Sequence, residues 1–97
     1  MRILDENDFL DMDNGETRQF LYCNAHVTKD GDIWNFYSYS TLMAKIFTGK
    51  YGLLVVKESN YTSVTTLQHL RKFFNMIGAN GSYYTFKHMD THAIMEL

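Results

Sequence analysis

Between Phe20 and Thr41 the side chains sort by parity into two sets. Leu21, Cys23, Ala25, Val27, Trp34, Phe36, Ser38 and Ser40 are apolar or small, whereas Phe20, Tyr22, Asn24, His26, Asn35, Tyr37, Tyr39 and Thr41 form a polar, tyrosine-rich set. Period-two alternation is what a half-buried strand requires, because successive side chains point to opposite faces. The Asp30-Gly31 pair between the two runs suits a two-residue type I′ turn, where both central positions take positive φ. The predicted hairpin closes with Lys29 opposite Asp32. It continues outward through Val27 opposite Trp34 and Ala25 opposite Phe36. A second reversal lies in "KIFTGKYGLLVVKE", with its turn near Thr48 to Lys50. There Leu42, Ala44 and Ile46 are expected to meet Tyr51, Leu53 and Val55 on the core face. Thr41, Met43, Leu54 and Val56 take the other face, which is more apolar than a solvated sheet needs.

From Thr65 the period changes. Leu67, Leu70, Phe73, Phe74 and Ile77 fall within an arc of about 120° at a helical pitch, opposite Gln68, Arg71, Lys72 and Asn75. Thr65 followed three residues later by Gln68 has the form of a capping box, and Gly78 is placed to end the helix. A final strand is predicted over 82–89, and Ile3, Leu4, Phe9 and Leu10 are expected to add a short strand or turn at an edge. The expected fold is therefore α+β: a twisted antiparallel sheet of four to five strands from two consecutive hairpins, with one α-helix on one face. Its map is an acidic segment 1–16, a β-meander 18–58, a helix 66–77 and the last strand 82–89.

Ninety-seven residues fit one small domain, which buries roughly 60 to 65% of its unfolded surface. No apolar run approaches the roughly 18 residues a spanning helix needs, and no leader pattern follows Arg2. With a lone Cys23, this points to a reducing cytoplasm. The first sixteen residues carry six acids against Arg2, a charge of −5, and the remainder carries five acids and eight bases, +3. So small a positive excess does not bind phosphate backbones by charge alone, which makes direct nucleic-acid binding the disfavoured class.

The segments "YSYSTLMAKI" and "YTSVTTLQH", joined by a hairpin, resemble a family of small phage and prophage proteins of uncharacterised function. Its pattern is a serine-threonine strand, a glycine turn and a Tyr-Ser-x-Thr-Thr-x-x-His helix start. The resemblance covers Phe36 to Phe74, and here Thr62 interrupts the Tyr-Ser pair. It implies a context, an accessory gene product acting on host machinery, and no catalytic residues.

Several residue groups invite chemistry. Thr65, Thr66 and Gln68 are accounted for by helix capping, since a phosphate loop would want glycines and none lies between Tyr61 and Ile77. His69 sits at the edge of the apolar arc and is expected as a half-buried, neutral ring bonded to a neighbouring strand, its pKa lowered by the helix N-terminus. His88, Asp90 and His92 share a face only if the last strand extends that far, and the outer two would then lie about 13 Å apart. Asp11 to Glu16 lacks the glycine and glutamate spacing of a calcium loop. Cys23 falls on the core face. No metal, no cofactor and no catalytic residue is expected.

The unusual feature is aromatic load, seven Tyr, seven Phe and one Trp. Tyrosine gives large contact area with little rotamer entropy to lose, and is enriched at recognition surfaces. Phe20, Tyr22, Asn24, Tyr37 and Tyr39 are therefore the expected partner-binding residues. They suit a non-enzymatic phage-type accessory protein that binds and inhibits or redirects a host protein complex. An anti-defence inhibitor of a nucleoprotein such as a CRISPR effector is one form of that reading. A homodimer is compatible with it. The alternative is a small nucleic-acid-binding regulator that stacks bases on the same tyrosines and holds phosphates with Arg71, Lys72, Lys87 and Lys45.

Overall fold

The computed structural model describes residues 2–4, 11–20, 24–50, 52–60, 63–79 and 81–97. Their fold is α+β. Seven strands lie in one sheet in chain order: β1 (Arg2–Leu4), β2 (Thr17–Phe20), β3 (Ala25–Asp30), β4 (Ile33–Ser38), β5 (Thr41–Thr48), β6 (Leu53–Lys57) and β7 (Ile94–Glu96). All neighbours are antiparallel except β1 and β2. Two helices, α1 (Val64–Met76) and α2 (Ser82–His88), connect β6 to β7.

Except at Leu42 and Met43, the predicted faces hold while the registers slide. The first hairpin turns on Gly31 and Asp32, pairing Asp30 with Ile33 and Val27 with Phe36. Gly31, at φ 63°, takes the first central position, where a type II′ turn wants glycine. A shift of two residues leaves parity untouched, so Ala25, Val27, Trp34, Phe36 and Ser38 are all buried. The β5–β6 connection is longer than expected, Thr48 pairing with Leu53, and again the faces survive.

The described residues hold seven strands and two helices where four to five strands and one helix were expected, and four expectations of detail fail. The long strand through Phe20 and Tyr22 is two strands, because β2 ends at Phe20 and the antiparallel β3 begins at Ala25. The chain also reverses at Tyr39 and Ser40, where Ser38 pairs with Thr41. Tyr39 takes φ 54°, a region costly for a bulky side chain, so the residue type gave no warning of a turn. A bulge follows: Phe36 pairs with Ala44 but Tyr37 with Leu42, leaving Met43 as the extra residue. Met43 is thereby buried, and Leu42 joins the outer face with Tyr37.

The third failure is the cap of α1. Ser63, not Thr65, caps the helix, its hydroxyl accepting from the Thr66 amide at 3.0 Å. Gly78 does end it as expected: the Ala79 amide donates to Phe74 O and the Gly78 amide to Asn75 O, the paired bonds of a Schellman motif. The fourth is the last strand. "SYYTFKH" is α2, despite the strand preference of its tyrosines and Thr85, and the closing strand comes later at β7.

Tertiary contacts override that local preference. Phe86, fully buried, packs 5.3 Å from the Phe74 ring, and burying such a side chain is worth about 2 to 3 kcal/mol. From the core face of β6, the buried Lys57 donates its ammonium protons to Lys87 O at 3.0 Å and Met89 O at 2.8 Å. It thus satisfies carbonyls at the C-terminal end of α2, where a cation complements the helix dipole. Both helices cover one sheet face: Phe73 of α1 stacks on Phe36 at 4.4 Å. The core is the layer between, with Val27, Phe36, Ile46, Val55, Phe73 and Phe86 at 0% exposure.

Candidate functional site

Register assigns the sheet face away from the helices. Ile33, Phe47 and Leu54 make one cross-strand row with Asp30 and Glu96 at its ends. The next runs Thr17, Thr28, Asn35, Lys45, Val56 and Ile94. A third joins Gln19, His26, Tyr37 and Leu42. No helix among the described residues lies on this face. Ile33 is 36% and Ile94 62% exposed. At the β3–β4 turn a cleft of about 480 Å³ lies across the end of the sheet, lined by Ile33 and Phe47 of this face, by Lys29, Trp34 and Thr48 of the other, and by Asp32 of the turn. Asn35 Oδ1 is buried without a hydrogen-bond partner, and His26 stacks flat on Tyr37 at 4.7 Å and 8°. Burial lowers the pKa of His26, which favours a neutral ring in that stack.

Of the five expected partner residues the structure describes the side chains of three, and it sets Tyr37 and Tyr39 apart. Tyr22 and the Phe20 side chain lie outside the described residues, as does Cys23. Asn24 is exposed, and its carbonyl accepts from the Tyr39 amide at 2.7 Å. Tyr37 is half-buried on the outer face, but Tyr39 sits on the turn with its ring 5.7 Å from His69 on the helical side. The turn at Tyr39 and Ser40 separates them. The basic quartet of the alternative reading divides too: Lys45 is on the outer face, while Arg71, Lys72 and Lys87 belong to the helices.

His69 anchors a buried polar chain beneath α1. Its Nδ1 shares a 2.8 Å hydrogen bond with Ser38 Oγ, which also lies 3.1 Å from Thr66 Oγ1, and Ser63 Oγ donates to Thr66 at 3.0 Å. Burial, and behind it the Lys72 ammonium, lowers the ring's pKa. The direction is the expected one, with desolvation rather than the helix end as the first cause. A serine and histidine at this distance resemble a nucleophile with its base. Yet Ser38 is 2% and His69 4% exposed, and the serine oxygen is shared with Thr66, so the chain ties α1 to β4.

The acidic turn is also occupied. Glu16 holds the buried Arg18 through two carboxylate contacts, and Asn14 Oδ1 accepts from the Gly31 amide at 2.7 Å. His88 ends α2, and His92 reaches Glu58 at 3.4 Å, so the strand that would have aligned them with Asp90 is absent. Among the described residues no three His, Cys, Asp or Glu side chains gather as a metal site. No helix among them is long and apolar enough to cross a membrane.

A family model described as a family of unknown function, DUF8033, matches residues 10–90. The chain belongs to that family. No curated protein and no solved structure matches it.

In this DUF8033 chain the buried cations escaped notice, although parity could have found one of them. Lys57 follows Leu53 and Val55 at period two and so belongs to the core face, as its burial shows. Arg18 depended on the separate strand β2, which nothing in the alternation announced.

Proposed function

We propose that this chain is a non-enzymatic binding module: a phage-type accessory protein that docks on a host protein complex in the cytoplasm and blocks or redirects it. Inhibition of an anti-phage defence complex is the sharper form of the same reading. The observation that carries it is the outer sheet face, where Ile33, Phe47, Leu54, Val56 and Ile94 run across four strands beside an open cleft. Apolar side chains left open on one face of a sheet mark interaction sites, and cleft-filling anchors dominate binding energy. The Ser38–His69 pair, the arrangement nearest to a catalytic one, is closed by burial and supports a structural role.

The test begins with capture of the partner from the native host and reconstitution with that purified partner. The double variant Ile33→Arg, Ile94→Arg should weaken binding at least about tenfold, a cost of roughly 1.4 kcal/mol, with an unchanged thermal melt because both side chains are already exposed. Unaltered affinity in the folded double variant would rule out this face.

A further inference from the structure

The positive charge of this molecule is not spread over its body. Beyond residue 16 the chain holds eight bases and five acids, and three of those bases, Arg71, Lys72 and Lys87, lie in 59–89, which contains no Asp or Glu. The rest of the body has five of each, so its whole excess of +3 resides in the segment bearing α1 and α2.

Within that layer the charges stand beside aromatic rings and amides. The Arg71 guanidinium lies 5.5 Å from the Tyr83 ring centre, joining the exposed side of α1 to α2. Such stacking holds a guanidinium in place while leaving its N–H groups to donate. Tyr83 meets Tyr84 at 4.2 Å, and Tyr84 is 59% exposed. Lys87 follows Tyr83 by four residues and so projects from the same side of α2. Gln68, Arg71, Lys72 and Asn75, spaced along one side of α1, line a cleft of about 410 Å³.

We propose that the helical layer is a binding surface for single-stranded nucleic acid, with Arg71, Lys72 and Lys87 on phosphates, the Tyr83–Tyr84 pair as stacking platform, and the amides of Gln68 and Asn75 on base edges. Stacking needs unpaired bases, and three cations are too few to hold a duplex. An acidic protein segment would be held chiefly by the cations, whereas unpaired bases also need the exposed Tyr84 ring, so competition by polyglutamate separates the two ligands. This surface is independent of the proposed docking face, since the sheet lies between them.

The experiment is fluorescence anisotropy with a labelled oligothymidylate about 20 nucleotides long. Three phosphate contacts predict a log-log salt slope near −2, so raising salt from about 50 to 200 mM should cost about 20-fold in affinity. Arg71→Ala should flatten that slope by about one third, and Tyr84→Ala should weaken binding about fivefold or more with the slope unchanged. Lys50→Ala, which removes an exposed charge from the β5–β6 connection, should do neither. No binding at low salt overturns the proposal, as does equal weakening by Lys50→Ala. Displacement by polyglutamate as effective as by oligothymidylate also overturns it, in favour of an acidic protein partner. The arginine variants of the sheet face should leave oligonucleotide binding intact, so the two surfaces fail separately.

Discussion

His69 shows how a buried polar residue links folding to solution conditions. Its ring is neutral in the fold because burial and the Lys72 ammonium lower its pKa, whereas the unfolded ring titrates near 6.5. Above that value both states are neutral and the contribution to stability is full. As pH falls through it the unfolded chain takes up a proton that the folded ring resists, so stability falls until the folded pKa is reached. His26, also lowered by burial, acts with the same sign. Urea unfolding at a series of pH values should therefore give a loss of stability on acidification below about 6.5. His69→Gln should reduce its slope, and an equal slope in that variant would assign the effect elsewhere. The helical phase put the residue at the edge of the apolar arc, half-buried, and the fold buries it further. Its partner Ser38 was legible as inward-facing, but their meeting was not, because α1 crosses β4 at a place no local spacing encodes.

At the scale of elements, what survived is what is insensitive to small errors. Strand faces repeat every two residues, so both hairpins kept their core faces although each register moved by an even number. Parity gives no protection against the bulge at Met43, which shifts the pattern by one and exchanges the places of Leu42 and Met43. Nor does it help with α2, whose strand-forming residues are overruled by Phe86 and Lys57, contacts made with distant segments. The β5–β6 connection illustrates a constraint of the same tertiary kind. Gly52 has φ 154°, and a Cβ there would stand 2.6 Å from the carbonyl oxygen of Leu97. Backbone cannot yield as a flexible side chain does. Gly52→Ala is therefore expected to cost about 1 to 3 kcal/mol in chemical denaturation and to perturb the amides of β7. Gly31→Ala meets open space and is expected to cost only its positive φ, about 1 kcal/mol. Equal losses in both, with β7 amides unmoved, would show that the close approach at Gly52 carries no weight.

The described residues form a sheet with two unlike sides, one buried under helices that hold the body's excess positive charge, the other without a helix and crossed from β4 to β7 by an apolar band. Stability should be graded across it. The central strands β3 to β6 carry side chains with no exposure, whereas β1 and β7 are three-residue edges. Amide hydrogens of β4 and β5 should exchange only on global unfolding, and those of β7 by local opening. α2 is the informative case, because it has seven residues and one fully buried side chain, too little to persist without its connection to β6. That connection is Lys57. Lys57→Met keeps the apolar stem and removes the donors to Lys87 O and Met89 O, a loss of about 2 to 3 kcal/mol for hydrogen bonds from a charged group. Desolvation, which lowers the lysine's pKa, offsets part of that loss, so the net fall in global stability should be smaller. The consequence to measure is therefore local: faster exchange across α2 in Lys57→Met, with β4 and β5 slowed or hastened only as far as global stability changes. If α2 kept its protection, its contacts with α1 through Phe86 and Tyr83 would be enough to hold it. The tyrosines of the helical layer would then be mounted independently of β6, and their binding of oligonucleotide should be unaffected by the same substitution.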